Sequence, residues 1–196
     1  MRAPTCTRVI AGRFKGRKIA LPTSDGTRPT KSIARESLFD TLMGRVEDRA
    51  FVELFAGSGS VGLEALSRGA ANAIFCERDH AAIATLEANI AALGVANEAK
   101  VLRGDSFALF DEVVRYLKAT NERAWFYCDP PFDIRGGFTD IYDQLSALLA
   151  TLDRTTAIGA VVEHSSAAAQ SEQIGNLTII KRRVFGKTTL SYYEIG

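Results

Sequence analysis

Asp129-Pro130-Pro131-Phe132 follows directly on an apolar run, 124–128, and puts a carboxylate, a rigid turn and an aromatic ring within four residues. Two prolines fix φ and forbid a helix, so the carbonyls of the turn are presented rather than consumed. A planar amine conjugated to a ring is a poor nucleophile because its lone pair is delocalised. A carboxylate at Asp129 and a carbonyl at Pro130 can take the two N–H groups of such an amine and turn its lone pair toward an electrophile. Phe132 can stack on the ring, as a base drawn out of its stack requires. The same residues also read as an ordinary diproline turn with Asp129 bonded locally.

A second constellation lies upstream. Glu53-Leu-Phe-Ala-Gly57-Ser-Gly59-Ser-Val-Gly62 follows an apolar run and opens a helical pattern, the context in which spaced glycines mark a nucleotide-type cofactor site. Glycine lets the backbone turn tightly beside a ligand, and the start of a helix offers N–H groups. Glu77 stands 20 residues after Gly57 at the end of the next apolar run, where a carboxylate can accept two ribose hydroxyls. Asp79 competes for that role but also fits the N-cap of a helix beginning at His80. Glu53 bears on which cofactor is meant: a carboxylate beside the loop repels a pyrophosphate and favours the ammonium and sulfonium of S-adenosylmethionine. Asp105, in Gly104-Asp105-Ser106, can accept from an adenine amino group or cap the helix through Phe107, and the two roles can coexist.

Short apolar runs at 50–55, 73–76, 100–102, 124–128 and 157–162 must carry these residues as buried strands, alternating with helical patterns at 61–67, 80–93, 107–118 and 138–152. Such alternation specifies a mainly parallel sheet with helices on both faces. Runs 177–185 and 188–195, joined by Gly186 and Lys187, form an antiparallel hairpin, and 167–173 reads as loop or short helix. Upstream, 8–21 reads as a small basic strand pair and 31–43 as a helix. The chain therefore divides into a basic N-terminal appendage, 1–45, and a domain at 46–196.

Charge separates along the same line. Residues 1–35 hold nine basic side chains against one acidic, whereas the remaining residues hold 15 against 22. A basic end on a balanced chain of net charge +1 suits a polyanion, or is simply solvated. With 46% hydrophobic and 24% charged residues the composition is globular. No run approaches the roughly 18 apolar residues of a membrane span, and Met1 is not followed by an apolar segment, so the chain is expected to be cytoplasmic. Cys6, Cys76 and Cys128 are widely spaced and His80 and His164 are the only histidines, which suggests neither disulfides nor a metal site. Cys76 and Cys128 read as core residues, His80 as a surface residue, and His164 as structural or at a pocket edge.

These motifs resemble the class I S-adenosylmethionine-dependent amino-methyltransferases. Arg28-Pro-Thr30, Arg35-Glu-Ser-Leu-Phe39, Leu63-Glu-Ala-Leu-Ser-Arg-Gly-Ala70 and the opening Arg8-Val-Ile-Ala-Gly-Arg-Phe-Lys-Gly-Arg-Lys18 resemble the RsmD family more narrowly. The resemblance implies a Rossmann-like fold with a seven-stranded, mostly parallel sheet, a C-terminal antiparallel hairpin and a small N-terminal hairpin and helix. It implies methylation of the exocyclic N2 of a guanine in bacterial small-subunit (16S) ribosomal RNA with S-adenosylmethionine as donor and no metal; an assembling small subunit is the expected partner and a monomer the expected state, with naked RNA and other oligomeric states left open by the sequence. Glu53, Ala56, Gly57 and Gly59 would then surround the methionine part of the cofactor, Phe55 would also contact the cofactor, Glu77 would hold the ribose, and Asp105 and Ser106 would lie near the adenine. Arg28, Pro29 and Thr30 would close the pocket, and Asp129, Pro130, Pro131 and Phe132 would hold the guanine. Arg13, Lys15, Arg17, Lys18 and Arg35 would meet RNA. A methyltransferase of the same fold acting on adenine N6 of DNA or on a protein amide, and a non-catalytic RNA-binding protein, are the alternatives; a nicotinamide-dependent dehydrogenase is disfavoured by Glu53.

Overall fold

The computed structural model describes residues 6–22, 29–131, 139–168 and 170–196. Five parallel strands form the centre of the main sheet: β3 (Ala50–Leu54), β4 (Asn72–Glu77), β5 (Ala99–Arg103), β6 (Ala124–Cys128) and β7 (Ala157–Ser165). Helices α2 (Ser60–Ser67), α3 (His80–Leu93), α4 (Ser106–Thr120) and α5 (Thr139–Leu149) cross between them. The chain closes with β8 (Gln173–Ile174), β9 (Leu177–Phe185) and β10 (Thr188–Ile195), and opens with β1 (Cys6–Arg8), β2 (Lys18–Ala20) and α1 (Pro29–Thr41). The order across the sheet is β5-β4-β3-β6-β7-β10-β9-β8. The chain reverses its direction of travel between β3 and β6, and the crevice outside the carboxyl ends of those strands is where such sheets bind ligands.

Strand alternation sorts the core into two layers. Phe51, Phe75, Trp125, Tyr127, Val161 and Tyr192 face α1, α2 and α3. Val52, Ile74, Cys76, Phe126, Cys128 and Val162 face α4 and α5. Strands β3 and β6 are buried on both faces, which explains their unbroken apolar runs and makes Glu53 conspicuous among them. Cys76 and Cys128 are core residues, with burial pushing the Cys76 thiol up to about 12.

Two differences from the sequence expectation have plain causes. The sheet has eight strands rather than seven, because Gln173–Ile174 turns back through Gly175 and Asn176 to pair with the start of β9. Two residues are too few for a periodicity to register. In the appendage the strands are short, and residues 9–17 fold into turns with Val9 and Gly16 paired through their backbones. Among the described residues no helix is long and apolar enough to cross a membrane.

Residues 6–22 have no core of their own. Val9 and Ile19 are buried in the layer beneath α1 to α3, and polar groups on the backs of two helices do the fastening. Glu64 of α2, fully buried, accepts from the N–H groups of Ile10 (2.8 Å) and Ala11 (3.0 Å) and pairs with Arg68. Ser67 accepts from Phe14 N–H and donates to the Ala11 carbonyl. Asn89 of α3 brackets Ala20, accepting from its N–H and donating to its carbonyl, and donates also to the Ser58 carbonyl in the glycine loop.

Removing Glu64 takes the acceptor away from two part-buried backbone donors and from the Arg68 guanidinium. Glu64→Ala is expected to cost about 3–5 kcal/mol in denaturant unfolding, with rapid hydrogen exchange at Ile10 and Ala11. Glu64→Gln, which keeps an acceptor, should lose less.

Candidate active site

The loop between β3 and α2 is built on backbone conformations that ordinary side chains avoid. Gly57 (φ 54°) and Gly59 (φ 74°) are left-handed. A Cβ on Gly57 would point into open space, whereas one on Gly59 would strike Leu86 at 2.3 Å. Gly59 therefore seats the loop on α3, and Gly57 leaves the ligand side clear. Phe55 is left-handed too (φ 60°), a strain of order 1–3 kcal/mol that surrounding contacts must hold. Its N–H donates to Ser106 Oγ (3.1 Å) and its ring lies edge-on to Phe107, centroids 5.4 Å apart.

Gly59 occupies the cap position of α2 and has no side chain to accept the free N–H groups. Glu53 substitutes: its Oε2 accepts from Gly62 N–H (2.7 Å) and its Oε1 from Val61 N–H (3.3 Å). The carboxyl is 3% exposed, and burial pushes its pKa up to about 8 despite those two donors and the nearby Arg35, with Asp129 adding to the rise. Glu77 ties the loop to the end of β4, accepting from Gly57 N–H (2.7 Å) with one oxygen and from Arg78 and Asp79 N–H (2.8 Å each) with the other. Asp79 caps α3 through Ala82 N–H, so that of the two it is Glu77 that lines the cleft. Asp105 caps α4 through Phe107 and Ala108 N–H, with Arg78 at 3.5 Å from its other oxygen.

Two clefts meet at Phe55 and Asp129. One is lined by Arg35, Glu53, Gly57, Tyr127 and Glu163, the other by Glu77, Arg78, Asp105, Ser106 and Pro131. Together they make a trough across the carboxyl ends of the parallel strands. Its first arm offers a carboxylate and a guanidinium, which suits a zwitterionic end; its second offers a carboxylate for hydroxyls, with aromatic rings beside it. Asp129, directly after β6, stands at the junction, followed by buried Pro130 and exposed Pro131.

The predicted residues thus assemble, with some exceptions. Arg28 and Phe132 lie outside the described residues, and Pro29 and Thr30 begin α1. Arg35, expected on an RNA face, points inward instead: it is 6% exposed, donates to Thr7 Oγ1 (3.1 Å) and the Arg8 carbonyl (2.7 Å), and lies 3.9 Å from Glu64. Its place in α1 between buried Ala34 and Leu38 turns it toward the sheet. Arg13 pairs with Glu98, and Arg17 donates to the Ala92 carbonyl, so both pin the appendage to the domain as well as adding charge. Lys15 and Lys18 are exposed. His164 is structural: its Nδ1 donates to the Ser165 carbonyl, which leaves Nε2 to accept from Ser191.

Sequence reasoning missed Tyr127, whose hydroxyl donates to Glu163 across the cleft, because it sits in an apolar run. The available signal was its phase, since Tyr127 pairs in register with Glu53 on β3. Burial, reinforced by Glu163, holds the phenol well above its ordinary pKa, so it remains a donor.

A glycine turn and an acidic strand end beside the reversal point of a doubly wound sheet, with a diproline turn on the adjacent strand, define a Rossmann-like fold of the methyltransferase type. The family described as "Conserved hypothetical protein 95" matches residues 7–194. A Bacillus subtilis (strain 168) protein named "Putative rRNA methyltransferase YlbH" is 31% identical over 193 residues, 95% of this chain and 98% of its own. "Ribosomal RNA small subunit methyltransferase D" of Escherichia coli (strain K12) is 40% identical over 125 residues, 64% of this chain and 60% of its own. The solved structure of "Putative methyltransferase yhhF" from Escherichia coli superimposes with a TM-score of 0.75 at 29% identity, covering 97% of this chain and 98% of that one. The chain belongs to the RsmD family of ribosomal RNA methyltransferases, as its motifs imply.

Glu53 gives the fold a pH signature. The folded carboxyl keeps its proton up to about pH 8, while the unfolded one releases it near 4.5, so between those values unfolding releases a proton. Glu53's contribution to stability is full below about pH 4.5 and declines as pH rises toward 8. Unfolding in two buffers of different ionisation enthalpy at pH 6 should detect the proton, and Glu53→Gln should abolish its release.

Proposed function

We propose that the protein transfers a methyl group from S-adenosylmethionine to the exocyclic N2 of a guanine in small-subunit (16S) ribosomal RNA. The observation that carries this reading is the trough: a zwitterion-compatible arm and a hydroxyl-compatible arm meet at an acceptor-bearing rigid turn. When bound, S-adenosylmethionine supplies a sulfonium methyl as the electrophile.

The chain's own residues do the rest. Glu53 and Arg35 lie where an α-ammonium and α-carboxylate would end, and Gly57 leaves its ligand side open for their approach. Glu77, whose two oxygens are fixed by three backbone donors, keeps an acceptor site for a ribose hydroxyl. Phe55, Asp105 and Ser106 border the space for the adenine. The Asp129 carboxylate and the Pro130 carbonyl hold the two N–H groups of the target amine and direct its lone pair at the methyl. Because both acceptors are set by the turn before RNA arrives, little reorganisation remains for the transfer step. Lys15 and Lys18 meet the phosphate backbone, while Arg13 and Arg17 fix the surface that presents them.

Asp129 should affect transfer and not cofactor binding. Asp129→Ala is expected to retain wild-type affinity for S-adenosylhomocysteine in calorimetry while losing about 10² to 10³ in single-turnover rate. Asp129→Asn, which keeps one acceptor, should fall between. Labelled S-adenosylmethionine offered to naked RNA, assembling small subunits, DNA and protein, followed by mapping of the labelled nucleotide, tests the acceptor; label on DNA or protein alone would refute the reading.

Replacing Lys15 and Lys18 together by Gln should weaken RNA binding and flatten its logarithmic salt dependence by about 0.7 to 0.9 for each phosphate that is no longer neutralised. An unchanged slope would make the two lysines merely solvated.

A further inference from the structure

Three carboxylates face the first arm of the trough, and the reaction as derived uses only two of them, Glu53 and Asp129. Glu163 is the third. It follows Val162 on β7, and Val162 pairs in register with Cys128, so Glu163 and Asp129 hold corresponding places at the carboxyl ends of adjacent parallel strands. Glu163 is 6% exposed and Tyr127, also 6% exposed, donates its hydroxyl to Oε2. Tyr127 thereby fixes the carboxylate in one orientation toward the space beside Asp129. A carboxylate carries about four acceptor sites, enough for Tyr127, a base N–H and further partners together.

The bases differ in what they bring to such a group. Guanine presents three N–H bonds side by side, two on the exocyclic N2 and one on ring N1. Adenine presents two on its exocyclic amine, and the adjacent ring N1 is a bare acceptor. Two acceptors at the diproline turn satisfy the amine of either base, so the turn cannot tell them apart. A third acceptor beside the turn can. Facing N1–H it gains a charge-assisted hydrogen bond; facing a bare nitrogen it sets two acceptors against each other in a buried site.

We propose that Glu163, oriented by Tyr127, is the specificity-determining acceptor that takes N1–H of the target guanine and rejects a base whose N1 carries no proton. This rests on the reading of the acceptor as guanine N2 and extends it to a residue and an atom.

The test replaces the mapped guanine in a synthetic RNA by 2-aminopurine, which keeps the exocyclic 2-amine but has no proton on N1. With labelled S-adenosylmethionine under single-turnover conditions, the wild-type protein is expected to methylate guanine about 10- to 100-fold faster than 2-aminopurine. Glu163→Gln, whose amide can donate to a bare nitrogen or accept from N1–H, should slow transfer to guanine and bring the two rates within about threefold of each other. Tyr127→Phe keeps the shape but frees the carboxylate, and should narrow the wild-type ratio by a smaller factor. Wild-type circular dichroism and thermal unfolding of both variants check that the fold survives, and because guanine and 2-aminopurine are compared at the same saturating S-adenosylmethionine, a change in cofactor affinity leaves the ratio of the two rates untouched. If Glu163→Gln slows both substrates equally, so that the wild-type ratio persists, Glu163 is structural and the inference falls; equal wild-type rates on the two bases overturn it as well. A wild-type protein that labels no guanine in the RNA overturns the proposed function itself, and this inference with it, before any ratio is read.

Discussion

Helix α2 begins behind a left-handed glycine that offers no cap, and the carboxyl of Glu53, reaching from the neighbouring strand, takes the place of that cap. This contact fixes the turn of the glycine loop, because Gly62 N–H and Val61 N–H must lie within reach of a side chain anchored in β3. The same contact puts a titratable group into a dry site next to Asp129 and Arg35. In its protonated state the group is tolerable in isolation, and a cationic ligand end favours its charged state. One carboxyl thus serves both the architecture of the loop and the electrostatics of the arm it borders.

The loop is also held from behind. Asn89 links the Ser58 carbonyl to the backbone of Ala20, and Glu64, one turn into α2, takes the backbone of Ile10 and Ala11. The appendage is therefore fastened to the two helices that frame the glycine loop, by groups buried to 3% exposure or less. Such bonds are costly to break because each leaves a buried donor or acceptor unpaired. Arg35 joins the same system through Thr7 and Arg8, which is why a residue in a strongly basic segment is withdrawn from the surface.

At the other side of the trough the acceptors are arranged by strand geometry. Parallel pairing of β6 with β7 sets Asp129 beside Glu163, and parallel pairing of β3 with β6 sets Glu53 level with Tyr127. The cluster is rich in carboxyl groups, and the sheet tolerates it because Glu53 is held protonated by burial and accepts from backbone N–H groups, while Glu163 accepts from a phenol. A site rich in fixed acceptors suits a base edge rich in N–H groups.

The sequence by itself determined the alternation of strands and helices, the glycine loop, the acidic strand ends, the diproline turn and the hairpin at the end, because each is a local pattern with a local cause: period, turn chemistry or capping. It preferred Glu77 to Asp79 for the ribose because Asp79 also fits a helix N-cap, and the bond from Ala82 N–H shows Asp79 in that cap. It assigned Arg35 to the surface because charge composition carries no direction, whereas packing of α1 on the sheet turned that side chain inward. Tyr127 read in sequence only as a member of a strand, and its meeting with Glu163 depends on the register of two segments 36 residues apart. Spacing along a chain fixes what neighbours in sequence can do. Which distant side chains share one buried space is set by the strand order and by the burial that forces each polar group to find a partner.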